Sequence, residues 1–178
     1  MHSTAKIFLI LSIFLLPSNC RAEGKLNVGW LEKIMIRPGN IFMHAKMDTG
    51  ADYSSLNATH IEEFIKDVEN PKEKDGEKIK QKWVRFDLKN KYGQKVTLEV
   101  PVRRVAIIKR HGMKSQRRPV VRLGLCIGKS FLEEDVNLVD RSQFEHQMLI
   151  GRSFLAGVAT IDPSVTYTVQ PECPESKK

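Results

Sequence analysis

The chain has 178 residues, enough for one domain with a real core. It carries 29 Lys and Arg against 21 Asp and Glu, a formal net charge of +8. That balance suits acidic partners or an anionic surface. The basic residues are not interleaved with stacking aromatics, so a dedicated nucleic-acid module is not expected.

The N-terminus reads as a cleavable leader. Lys6 supplies a positive start, and Ile7 to Leu16 is an apolar run interrupted by Ser12, too short to span a bilayer. Pro17, Ser18 and Asn19 end it, and Cys20-Arg21-Ala22 places small residues at the -3 and -1 positions for cleavage before Glu23. Residues 1–22 are therefore expected to be a signal peptide and the mature chain periplasmic or secreted. A rival reading makes Cys20 a lipid-modified N-terminus, to which Asn19 is a poor fit. Removing residues 1–22 takes away Lys6 and Arg21 and no acid, leaving 27 basic against 21 acidic side chains, +6. No second long apolar run follows, so no transmembrane segment is expected in the mature chain. Cys126 and Cys173 remain; in an oxidising compartment they can pair, or Cys126 can be a lone buried thiol in an apolar strand.

The domain is expected over residues 23–170. Leu26 to Ile36 is apolar and bounded by the turn signal Arg37-Pro38-Gly39-Asn40, and Ile41 to Met47 follows as a second strand. Tyr53 to Leu56 suggests a short strand. Asn57 as a cap, with Ile61, Phe64, Ile65 and Val68 at helical spacing, predicts a helix over 58–68. Residues 69–82 read as a solvated loop. Trp83 to Leu88 and Val96 to Val102 flank a turn at Asn90 to Gly93 and predict a hairpin, with the second strand continuing to Ile108. Lys109 to Arg118 reads as a basic loop. Pro119 to Ile127 and Val136 to Val139 are further strands. Met148 to Leu155 is apolar around Gly151-Arg152 and predicts a buried strand running into a short helix. Ala159 to Ile161 and Val165 to Val169 close the domain, and 171–178 reads as a disordered tail. Many short strands, one or two short helices and no βαβ alternation predict a mainly β, closed-barrel domain.

Most catalytic signatures are missing. His44, His60, His111 and His146 include no pair at i, i+4, so no zinc-hydrolase motif is present, and neither a phosphate loop nor a Gly-x-Ser-x-Gly elbow occurs. No metal and no cofactor are expected. What remains is Asp48-Thr49-Gly50 at the end of an apolar strand. A strand anchored in the core holds such a side chain rigidly, and the turn's N–H groups can donate to its carboxylate. Gly50 permits close approach of a second backbone. Two carboxylates a few ångströms apart share one proton, and such a pair can activate water while protonating a peptide carbonyl. With one Asp-Thr-Gly per chain, a dyad requires a homodimer.

Asp48-Thr49-Gly50-Ala51-Asp52, followed about a hundred residues later by Leu149-Ile150-Gly151-Arg152-Ser153-Phe154-Leu155, resembles the retropepsin pattern. The match is closer to bacterial retropepsin-like peptidase domains, often labelled ATP-dependent zinc proteases and related to domains found near RimK-type ligases. It includes Ala45 to Ala51, Arg118 to Val121, Val136 to Ser142 and Met148 to Leu155, and it spans most of residues 26–165. The resemblance implies a retropepsin-like closed β-barrel in which Asp48 is catalytic with water as nucleophile. It implies that Thr49 braces the active-site loops across a dimer, and that Asp52 pairs with Arg152 to fix the turn against the following helix, with Gly50 and Ala51 completing the loop. It also places a flap at 109–118, with His111, Gly112 and Met113 at or near its tip, and a flap so basic favours acidic groups in a peptide or protein substrate. The helix at 58–68 and the hairpin near 83–100 are additions to a minimal retropepsin. The alternative reading is a non-catalytic barrel that binds acidic peptides or envelope polymers through the basic loop 109–118.

Overall fold

The computed structural model describes residues 24–71, 76–110 and 112–173. The leader expected at 1–22, His111, and the tail beyond Cys173 lie outside the described residues. Ten strands and one short helix follow in chain order: β1 Leu26–Arg37, β2 Ile41–Met47, β3 Ser54–Asn57, β4 Thr59–Glu69, β5 Lys78–Lys89, β6 Lys95–Arg110, β7 Met113–Ile127, β8 Ser130–Val139, β9 Met148–Ile150, α1 Arg152–Leu155 and β10 Ala159–Thr166.

Hydrogen bonding runs in the order β10-β1-β2-β9-β3-β8-β7-β6-β5-β4, and β1 also pairs with β7. That extra pairing, Met35 to Arg37 against Gly124 to Cys126, closes β1, β2, β9, β3, β8 and β7 into a six-stranded barrel. Closure removes the edges that an open sheet would expose. β10 is added in parallel outside β1, and β6, β5 and β4 form a wing continuing from β7.

The barrel core follows from the period-2 pattern of its strands. In β1, Ile34 and Ile36 point inward; in β2, Ile41, Met43, Ala45 and Met47 do, while Phe42, His44 and Lys46 point away. Four of the seven residues of 41–47 are therefore buried, in strict alternation. These side chains pack with Leu56, Leu123, Leu125, Ile127, Leu138, Met148, Ile150 and Phe154. The hairpin between β1 and β2 turns at Gly39 and Asn40, both with positive φ, which glycine and asparagine tolerate best.

Several expectations change, beginning with the loop read over 69–82, whose residues 78–82 open β5. Residues 58–68 are not a helix: Glu62 to Glu69 pairs rung by rung with Arg85 to Lys78 of β5. A bulge between Thr59 and Glu62, with His60 at φ 50, interrupts the alternation. None of the eleven residues of β4 is fully buried, so no inward face marked the segment as a strand. Cross-strand contacts hold it instead, with Phe64 opposite Trp83 and the Lys66 ammonium 4.2 Å from the Trp83 ring centroid. Nor is 109–118 a loop: β6 runs to Arg110 and β7 begins at Met113, forming one long hairpin with β-ladder pairs from Val102↔Val121 to Arg110↔Met113. Finally, Pro171 to Cys173 are not a frayed end. The Glu172 N–H donates to the Gly128 carbonyl at 2.6 Å, and Cys173 is disulfide-bonded to Cys126.

The disulfide decides between the two readings of Cys126, and a buried carboxylate completes the anchorage of the C-terminal segment. Glu32 is fully buried, and its Oε1 accepts from the Gly29 N–H at 2.6 Å, the Thr168 N–H at 2.9 Å and the Thr168 hydroxyl at 2.6 Å. Donors on this scale are what makes a buried carboxylate tolerable.

Candidate active site

β9 is only three residues long, yet it lies between two strands. It pairs in parallel with β2, from Ala45↔Met148 to Met47↔Ile150, and antiparallel with β3, through Ser55↔Leu149 and Leu56↔Met148. The chain from 48 to 53 therefore wraps round the end of β9. Asp48 makes the last rung, its N–H donating to the Ile150 carbonyl at 2.8 Å. Its Oδ1 accepts from the Gly50 N–H at 3.0 Å, and the Ala51 N–H donates to the Asp48 carbonyl at 3.2 Å. One carboxylate oxygen is thus held and, among the described residues, the other accepts no hydrogen bond.

The loop is fastened to the start of α1. The Arg152 N–H donates to the Ala51 carbonyl at 2.9 Å and the Ser153 N–H to the Asp52 carbonyl at 3.0 Å. Arg152 Nη1 donates to the Thr49 carbonyl at 2.8 Å, and Nη2 to the Asp52 carboxylate. This pair is not sequestered by the apolar sequence around it; the Arg152 and Asp52 side chains are 52% and 71% exposed, so water screens their attraction. Gly151 is required by space. A Cβ there would lie 2.5 to 2.8 Å from the backbone of Tyr53. Its N–H donates to Ser54 Oγ at 3.1 Å, tying the strand end to β3.

Thr49, Gly50, Asp52 and Tyr53 are all exposed, so the loop presents Asp48 at a surface rather than in a closed cavity. Gly112, at φ 70, lies at the tip of the β6–β7 hairpin with nothing within 4 Å of a Cβ built on it, and Met113 opens β7. Asp140 and Asp162 each accept from the N–H of the serine two residues on, Ser142 and Ser164.

Between the loop and the hairpin is a pocket of about 270 Å³. Ala51 to Tyr53 form one side, Ser55 and Leu149 the floor, and β6 and β7 supply Arg104, Ile108 and Arg118. Arg141 completes the wall, and sequence reasoning had not singled it out. It is 8% exposed, its backbone N–H donates to Asn57 Oδ1 at 2.6 Å, and its Nε donates to the His146 carbonyl at 3.1 Å. Burial lowers its pKa, while the Asp48 charge acts in the opposite sense. The available signal was its place in Asp140-Arg141-Ser142, a polar turn directly after the buried run Val136 to Val139.

The family model of the RimB-like retropepsin-like aspartic endopeptidases matches residues 27–172. The chain belongs to this family. Among curated proteins, this RimB-like chain is 30% identical over 124 residues to a protein of Desulfotalea psychrophila named "Probable alpha-L-glutamate ligase", covering 68% of this chain and 24% of the relative. A protein of the same name from Parasynechococcus marenigrum is 26% identical over 126 residues, covering 69% and 24%. The chain thus spans about a quarter of the length of the curated relatives it matches. Among solved structures, a Legionella pneumophila protein described as of unknown function (DUF785) superposes with TM-score 0.63 at 28% identity, covering 83% of this chain and all of the other.

Proposed function

We propose that this RimB-like chain is an exported aspartic endopeptidase that works as a homodimer. The observation that carries the reading is the single carboxylate at the β2–β9 junction, held through one oxygen by Gly50 and presented on an exposed loop. In a symmetric dimer, Asp48 and Asp48 of a second copy share one proton, because two adjacent carboxylates resist double ionisation. The ionised member takes a proton from water as it attacks the peptide carbonyl, and the protonated member donates to the carbonyl oxygen. As the C–N bond of the gem-diol breaks, the protonated member donates to the leaving amine while the ionised member takes a proton back from a gem-diol hydroxyl, so the pair stays singly protonated. Arg152, Thr49 and Asp52 act as positioning residues by fixing the loop. The peptide runs between the loop and the β6–β7 hairpin, along the pocket.

Export is supported by the leader pattern at 1–22 and by the Cys126–Cys173 disulfide, a bond that persists in oxidising compartments. The test is cleavage of a peptide mixture by the purified chain at mildly acidic pH, alongside Asp48→Asn. Cleavage is expected for the first and absent for the second; equal cleavage by both sinks the reading.

A further inference from the structure

β4 is the last strand of the sheet, and among the described residues nothing pairs with its outer side. Such an edge presents a row of unpaired N–H and C=O groups. The opposite edge strand, β10, contains Pro163, whereas β4 runs for eleven residues without a proline. From Glu62 to Glu69 its pairing with β5 is regular. Charges on an edge ordinarily discourage pairing with another chain. In β4 their order permits one pairing.

Glu62, Phe64, Lys66 and Val68 share one face of the wing, and Glu63, Ile65, Asp67 and Glu69 the other. The acids are already balanced within the wing. Glu62, Asp67 and Glu69 face Arg85, Lys80 and Lys78, and Glu63 pairs with Lys82 and Arg117. Lys66 faces Gln81 instead. Its ammonium lies over the Trp83 ring, and among the described residues it has no carboxylate partner. On the same face Phe64 sits opposite Trp83. On the other face Ile65 is 61% exposed.

An antiparallel ladder restricts how a second β4 can be added. Along a strand, backbone groups point alternately to one side and the other, and facing residues are either both bonded to each other or both unbonded. Two copies related by a twofold axis therefore meet with the axis through a residue, never between two. With the axis at Glu62, Glu63, Lys66, Asp67 or Glu69, that charge faces itself. At Ile65, Glu63 faces Asp67; at Val68, Asp67 faces Glu69. At Phe64 no like charges meet. Glu62 faces Lys66 at two symmetric places, and Ile65 faces Glu63. The two Phe64–Trp83 pairs join into one aromatic row. Residues 62–66 of each copy lie clear of the bulge between Thr59 and Glu62. Opposite charges and aromatic pairs across a ladder are what stabilises strand pairing.

We propose that the β4 edge docks a second copy of this chain, antiparallel and centred on Phe64, so that the wings of two copies form one sheet. The contact is isologous and separate from the β2–β9 junction that carries Asp48, so the inference does not rest on the peptidase reading. Copies that also meet at Asp48 form assemblies larger than a dimer.

The test is sedimentation of the full chain beside Glu62→Lys and Lys66→Glu. Each variant alone sets like charges against each other at both symmetric places, and association is expected to weaken roughly tenfold or more. Mixed in equal amounts, the two variants face each other with opposite charges at both places, and association should return toward that of the wild type. Mixing would not repair a folding defect. Hydrogen exchange on the wild type gives a reading without substitutions. The amides of 62–66 that do not bond to β5 should slow severalfold as protein concentration rises, while those of β10 do not change. Wild type and both variants sedimenting alike at every concentration, or a mixture no more associated than its components, overturns the proposal. So do β4 edge amides whose exchange is independent of concentration, an outcome that leaves the edge to a strand of a different protein. Peptide cleavage by either variant bears on Asp48 and not on this contact.

Discussion

Asp52 and Arg152, 100 residues apart in sequence, meet at the surface, where the guanidinium bridges the Asp52 carboxylate and the Thr49 carbonyl. One side chain thereby spans the loop that carries Asp48. Because both groups are more than half exposed, their ion pair contributes little to folding, about 1 kcal/mol or less. Its effect is on position. Arg152→Lys keeps the charge but loses the fork, so kcat for peptide cleavage is expected to fall roughly tenfold or more, while the urea midpoint barely moves. A large loss of stability with unchanged kcat would contradict this division.

Gly151 behaves oppositely. Gly151→Ala forces a methyl against the Tyr53 backbone, which must move along with the loop. Overpacking of this kind costs about 1–3 kcal/mol, and here it also displaces the Asp48 frame. The expected result is a lower urea midpoint together with loss of cleavage.

Dimer-dependent catalysis has a signature in dilution. Below the dimer dissociation constant, specific activity is expected to fall in proportion to protein concentration, and sedimentation over the same range should show the dimer giving way to monomer. Adding excess Asp48→Asn chain should inhibit the wild type by forming mixed dimers with one ionisable aspartate. Activity per chain that stays constant across dilution into the monomer range rules out the shared dyad.

His44 makes stability depend on pH. Its Nδ1 is 2.6 Å from the Tyr167 hydroxyl and its Nε2 3.0 Å from that of Tyr92. Burial first, then the charges of Lys91 and Lys33, lower its pKa from the ordinary 6.5. The unfolded chain therefore binds a proton at pH values where the folded chain does not. The contribution is complete above about pH 6.5, is lost as the pH falls below that, and levels off once the pH is under the folded value. His44→Gln should flatten the dependence of unfolding free energy between pH 7.5 and 5.5; an unchanged slope would place the titration elsewhere.

The Cys126–Cys173 bond spans 47 residues of chain. Loop-closure entropy for that span corresponds to about 3–5 kcal/mol. Replacing both cysteines with serine is expected to lower the urea midpoint accordingly, and a reducing agent should destabilise the wild type but not the double variant.

What was legible in the sequence was whatever one face of the barrel imposes. β1 and β2 alternate because their inner residues meet a core and their outer ones meet water, and Arg37 to Asn40 announces the turn between them. β4 hid because neither of its faces is buried. Ile61, Phe64, Ile65 and Val68 then fall at helical spacing by accident, and only pairing with β5 decides the matter. The basic stretch 109–118 misled for a related reason, since charges such as Arg117 sit on a paired strand, bonded to Glu63 across the wing. Asp48 stood out through its place in a turn at the end of an apolar strand, and Gly151 and Arg152 through the family resemblance. Arg141 did not, because its importance lies in what folds over it, and a polar turn looks the same in sequence whether exposed or covered.

The seating of β9 between β2 and β3 sets an order in time. Asp48 emerges early from the ribosome, but the Thr49–Arg152 contact that frames it closes 103 residues of chain. Long-range pairings form late, after much of the entropy of closure has been met. A chain still being synthesised or threaded across a membrane therefore carries the carboxylate without the support that aims it. The Asp48 loop is framed only when the domain is all but complete.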